Sequence, residues 1–172
     1  MKPRDKIFYR SQSYYITAEP LRGYLELLDF EFESPMPDML RGCYGSWELD
    51  DSKLYLVGFK GFIRGDGRNS VLNSALAEHQ RAGRFTNLSA ELNEVDMSFL
   101  FPDQTKVFAD WFTVRIEIKM NQAMLMNFDK ANEETTVVKL DKILKFKNGE
   151  LISESEMEYI AKMGMDEYLE YV

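Results

Sequence analysis

The stretch RGCYGSWELDDSKLYL, Arg41 to Leu56, reads as two strands joined by a turn. Cys43, Gly45, Trp47 and Leu49 share one parity, and Tyr44, Ser46 and Glu48 share the other, as successive side chains of a strand do. Asp50, Asp51 and Ser52 are turn-forming residues that deliver the chain into a strand over Lys53–Ile63. Leu54 to Val57 are apolar on both parities, which predicts a central strand covered on both faces. A second stretch, SFLFPDQTKVFADWF, Ser98 to Phe112, leads into the cleanest alternation in the chain. Phe112, Val114, Ile116 and Ile118 fall on one face, and Thr113, Arg115, Glu117 and Lys119 on the other, predicting a half-buried antiparallel strand over 109–119. Asp110 shares the parity of Phe112, so it is expected to be a buried carboxylate held by backbone N–H groups or by an arginine such as Arg41.

Outward from these segments, Ile7–Arg10 and Ser13–Thr17 read as short strands turned at Ser11 and Gln12. Leu21, Tyr24, Leu25 and Leu28 recur at helical spacing behind Pro20. The loop GDGRN, Gly65 to Asn69, leads to a helical stripe of Val71, Leu72, Ala75, Leu76 and His79 with Gly83 as its stop. Residues 84–97 read as mostly irregular. Thr135–Phe146 and Leu151–Ser153 flank Asn148 and Gly149, a two-residue hairpin signal, because both positions tolerate positive φ. Ser155 followed by Glu158 has the spacing of a capping box, and Met157, Ile160, Ala161, Met165, Tyr168, Leu169 and Val172 make a stripe, so a C-terminal helix is expected. The expected fold is a single α+β domain over 1–172. It has a curved, mainly antiparallel sheet closing toward a partial barrel, with three amphipathic helices including the C-terminal one.

The two tryptophan segments carry a resemblance. Arg41, Gly42, Tyr44, Gly45, Trp47 and Glu48, then Lys53 to Leu56, then Leu100 to Pro102 and Val107 to Phe112, resemble the RGYxGxWE…KLYL and LFP…VFADWF motifs of a family of uncharacterised bacterial and phage-borne proteins. Cys43 is one extra residue within the first motif, and Val114 stands where that family usually has glycine. The resemblance implies a common core and nothing catalytic.

Composition narrows the function classes. The chain has 172 residues, 45% of them hydrophobic, and no apolar run of membrane-spanning length. The N-terminus MKPRDKIFYR lacks a signal-peptide core, and a lone cysteine, Cys43, forms no internal disulfide, so a cytoplasmic protein is expected. Residues 86–172 hold 9 Lys+Arg against 17 Asp+Glu, which accounts for the whole net charge of −8. That sign repels phosphate backbones and argues against general nucleic-acid binding.

The search for chemistry returns mainly exclusions. One histidine, His79, and one cysteine cannot assemble a Cys/His zinc site, and neither a nucleophile elbow nor a phosphate-binding glycine loop is present, so no cofactor and no metal are expected. The acidic pairs Asp50–Asp51 and Glu133–Glu134 fall in expected turns. Trp111 shares its parity with charged residues, which suggests a contact anchor, and Met120, Met124 and Met126 add adaptable apolar surface. The leading expectation is a non-enzymatic bacterial or phage interaction protein that binds and inhibits or neutralises a basic protein partner. Its acidic face would comprise Glu154, Glu158, Asp166, Glu167 and Glu170 on the last helix. The alternative is a small-ligand binder or carboxylate-dependent hydrolase with a pocket around Asp110, lined by Arg41, Tyr44, Trp47 and Trp111.

Overall fold

A computed structural model describes residues 4–37, 39, 41–64 and 92–170. The expected helix at 71–79, the GDGRN loop and His79 lie outside the described residues.

The described strands are β1 (Lys6–Tyr9), β2 (Gln12–Tyr15), β3 (Cys43–Asp50), β4 (Lys53–Arg64), β5 (Leu92–Asp96), β6 (Val107–Phe108), β7 (Arg115–Asp129), β8 (Glu134–Lys147) and β9 (Glu150–Gly164). They form one open sheet in the order β2-β1-β3-β4-β9-β8-β7, with β5 and β6 also paired to β4. Three short helices are described: α1 (Arg22–Leu28), α2 (Met97–Leu100) and α3 (Met165–Leu169). The molecule is therefore predominantly β, and the expected balanced α+β architecture is corrected.

The largest departure is the C-terminal segment. Residues 150–164 pair with β8 along its whole length, from Lys147↔Glu150 to Glu134↔Gly164. The helical stripe and the capping box at Ser155 are overridden because β8 offers a fourteen-residue ladder, and the tight Asn148–Gly149 turn returns the chain directly onto it. Both turn residues have positive φ, 50° and 77°. Isolated helical propensity is a weak prior against such pairing.

β4 is central, with β3 on one side and β5 and β6 on the other. Its expected double-sided burial is replaced by a bulge. Trp47 pairs with Leu56 and Ser46 with Gly58, leaving Val57 unpaired and exposed. The extra residue shifts the buried parity from Leu54 and Leu56 to Phe59, Gly61 and Ile63. The core collects Trp47 with Ile7, Leu54, Leu56, Phe99, Ile116, Ile118 and Leu144, all essentially sealed from water. Within 84–97, the described part is regular after all: β5 pairs with β4, and Asp96 caps α2 by accepting the Ser98 N–H at 2.9 Å.

β7, β8 and β9 form a long three-stranded arm. It meets β4 only at its base, where Lys53 pairs with Glu150 and the Leu54 N–H donates to the Gly149 carbonyl at 2.9 Å. Both edges of the arm also touch the first hairpin: β7 lies against β2, and Glu154 on β9 accepts from Tyr9 and Arg10.

Candidate functional site

Asp110 does not line the cleft that the described residues form. Residues 109–112 make a hydrogen-bonded turn, with the Phe112 N–H donating to the Ala109 carbonyl at 3.0 Å, and β7 begins only at Arg115. The turn breaks the alternation that had aimed Asp110 inward, and its side chain is exposed. Val114, also expected inside, is 60% exposed. Trp111 is not a free contact anchor either. Its indole N–H donates to the Pro20 carbonyl at 2.7 Å, and its ring packs on Tyr24 and lies parallel to Phe101. It fastens α1 to the segment after α2.

Arg41 and Tyr44 do come together, in a cleft of about 480 Å³ between α1, the Phe30–Phe32 segment and the start of β3. The carboxylate at its base is the partly buried Asp5, which no sequence pattern marks. β1 runs parallel to β3, with Ile7 beside Trp47, and this places Asp5 against Gly45. The Gly45 N–H donates to Asp5 Oδ1 at 3.1 Å and the Trp47 indole N–H to Asp5 Oδ2 at 2.8 Å. Gly45 is required here: a Cβ on it would stand 2.7 Å from Trp47 Nε1 and push the indole away. Burial raises the Asp5 carboxyl above its ordinary range, against the two hydrogen bonds and the Arg41 charge that pull it down. Trp47 is thus beneath the cleft as the partner of Asp5, not part of its lining.

Arg41 is ion-paired with Glu19 at the same cleft, and Cys43 lines it. Burial, then the neighbouring Asp5 charge, push the Cys43 thiol up to about 12. A thiol held protonated in this way is not a nucleophile at neutral pH. Among the described residues no group of three or more His, Cys, Asp or Glu side chains is placed to hold a metal ion.

The acidic residues expected on one helical face are dispersed. Glu154 lies on β9 and accepts hydrogen bonds from the Tyr9 hydroxyl and from Arg10. The Tyr9 bond, despite some desolvation, holds its carboxyl below the usual range, helped by Arg10 and Lys142. Tyr9 is correspondingly pushed up to about 12, first by burial and then by that bond. Glu158 is exposed farther along β9, while Asp166 and Glu167 occupy the first turn of α3 and Glu170 follows it. These last four therefore gather toward the outer half of the arm, whereas Glu154 is committed to an internal network.

That outer half also carries exposed apolar side chains in register. Met124 pairs with Val138, and Val138 with Ile160, so the three lie side by side across β7, β8 and β9. Met124 is 70% and Ile160 68% exposed. Met126, in a bulge of β7, is exposed next to them. Sequence reading had found the methionines but placed them beyond the strand, and had folded Ile160 into a helix. Among the described residues no helix is long and apolar enough to cross a membrane. No family model matches the chain, and no curated protein or solved structure matches it.

Proposed function

We propose that the chain is a non-enzymatic interaction protein of a bacterium or phage, which binds a protein partner through the outer half of the β7–β9 arm and inhibits or neutralises it. The observation that carries this reading is the row Met124–Val138–Ile160, in which the two flanking side chains are exposed and Val138 between them is half-buried. Apolar side chains aligned on a sheet face lose free energy to water unless something covers them, and methionine adapts to a partner's relief. Glu158, Asp166, Glu167 and Glu170 border the same end, and the basic partner expected from the sequence suits that rim.

The reading is tested by placing a photo-crosslinking residue at Ile160 and, as a control, at Ser13, which is exposed on β2 and outside the row. A discrete adduct formed in the source cell from position 160 and absent from position 13 is expected. Adducts from position 13 alone would overturn it.

A further inference from the structure

The cleft beside Asp5 has a chemistry of its own. Its volume of about 480 Å³ is within the range that small organic ligands occupy. One wall is apolar, formed by Leu25, Phe30 and Phe32. The rest is charged, with five carboxylates, those of Asp5, Glu19, Glu26, Asp29 and Glu31, against the guanidinium groups of Arg22 and Arg41. Both guanidinium groups are already engaged, Arg22 by Glu26 at 2.8 Å and by Glu19 at 3.9 Å, and Arg41 by Glu19. The charge left over is negative, which excludes an anionic ligand.

The hydrogen-bond inventory points the same way. Glu19 Oε2 is buried and accepts no hydrogen bond, with Arg22 Nη1 3.9 Å away at ion-pair rather than hydrogen-bond distance. Each oxygen of Asp5 accepts one N–H bond and retains a second lone pair. A buried acceptor left unmet in this way costs about 1–3 kcal/mol. A ligand that supplies several N–H donors, a positive charge and an apolar body meets all three conditions.

We propose that this cleft binds an organic cation, a primary ammonium on an apolar stem, with the Asp5 and Glu19 carboxylates receiving the ammonium and the stem lying against Leu25 and Phe30. Burial holds the Asp5 carboxyl up, as it does for a carboxylate with no counter-ion in contact, and a bound ammonium supplies that counter-ion. The stem replaces water over the half-buried Leu25 and rests against the edge of Phe30. None of Met124, Val138 or Ile160 lines the cleft, so this site stands or falls independently of the arm.

The indole of Trp47, hydrogen-bonded to Asp5, is a built-in reporter. Nitrogen–proton NMR spectra of the full chain, titrated with hexylammonium chloride, should show a saturable shift of the Trp47 indole resonance. The Trp111 indole, bound to the Pro20 carbonyl and off the cleft, serves as the reference. Hexan-1-ol, which has the stem but no charge, should give no such shift. Asp5→Asn and Glu19→Gln should each weaken hexylammonium binding about tenfold or more, and Glu19→Gln decides the matter if Asp5→Asn does not fold. A parallel titration with Nα-acetyl-lysine methylamide separates the two sources of the ammonium: binding of this probe identifies a lysine side chain, and binding of hexylammonium alone a free amine. No saturable shift with either amine, an equal shift with hexan-1-ol, or wild-type affinity in folded Glu19→Gln would overturn the proposal.

Discussion

The Trp47 indole N–H and the Asp5 carboxylate, 42 positions apart in the chain, hold one another at 2.8 Å. The bond is possible because β1 pairs in parallel with β3 and because Gly45 leaves room for the indole to fold back over it. It ties the largest fully buried side chain of the core to the partly buried carboxylate of the cleft. Trp47→Ala is expected to cost about 3–5 kcal/mol as a large-to-small core change. Gly45→Ala, which displaces the indole without emptying the core, should cost about 1–3 kcal/mol. Urea denaturation measures both, and wild-type stability in either variant would contradict the packing described.

Asp5 and Glu154 should impose opposite pH dependences on stability. The Asp5 carboxyl titrates above its ordinary 3.8 in the folded chain, so its contribution is fully present below that pH and is lost as pH rises through the folded value. The Glu154 carboxyl titrates below its ordinary 4.5, so its contribution is present above that pH and is lost as pH falls through the folded value. Asp5→Asn should therefore remove a loss of stability on the rising side, and Glu154→Gln should flatten the acid limb. Urea midpoints followed from strongly acid to neutral pH for the two variants test the pair. Profiles parallel to wild type would refute both assignments.

The β8–β9 turn docks the arm onto the rest of the sheet. The Gly149 N–H donates to the Phe112 carbonyl at 2.8 Å, and its φ of 77° is the left-handed conformation that glycine tolerates. A Cβ there would stand 2.5 Å from the Ala109 carbonyl oxygen, so it meets backbone that cannot rotate aside. Gly149→Ala should cost more than the roughly 1 kcal/mol of left-handed strain alone. Amide exchange in that variant should accelerate first at Leu54 and Leu151, whose N–H groups bond to Gly149 and Ser52. Unchanged exchange at both would show that the arm is anchored elsewhere.

If residues 150–164 are a strand, proline inside them must break the ladder. Ser155 pairs with Ile143 in the middle of the β8–β9 ladder. Ser155→Pro is expected to destabilise strongly and to abolish exchange protection along β8. At the N-cap of a helix, where the sequence pattern puts this residue, proline would remove only the cap, at about 1 kcal/mol, and a loss that small would restore the helix.

The fold was legible where the signal was local. The β3–β4 hairpin, α1 and the Asn148–Gly149 turn all follow from parity, a helical stripe behind Pro20, or turn chemistry, and the structure has each of them. The β1–β2 turn falls at Arg10 and Ser11, both with positive φ, one residue before the expected place. What was not legible depends on distant partners. Residues 155–164 satisfy a helical stripe and a strand equally, and only the presence of β8 decides between them. Asp110 was misplaced because a single hydrogen-bonded turn at 109–112 resets the alternation, and Asp5 was missed because its neighbours arrive from Gly45 and Trp47. Cleft and arm surface are both products of tertiary pairing, whereas Arg41, Tyr44, Met124 and Met126 were recognisable by type alone.

The account rests centrally on the exposed row of the arm as a partner-binding surface. The most direct measurement is the comparison, by affinity capture from the source cell followed by calorimetry on the captured partner, of wild type with the double variant Met124→Glu, Ile160→Glu. Both side chains are exposed, so folding stability should change by no more than about 0.5 kcal/mol for each. A partner held by wild type and bound at least about tenfold more weakly by an equally stable double variant is the predicted result. The same partner bound with equal affinity by both proteins would contradict it.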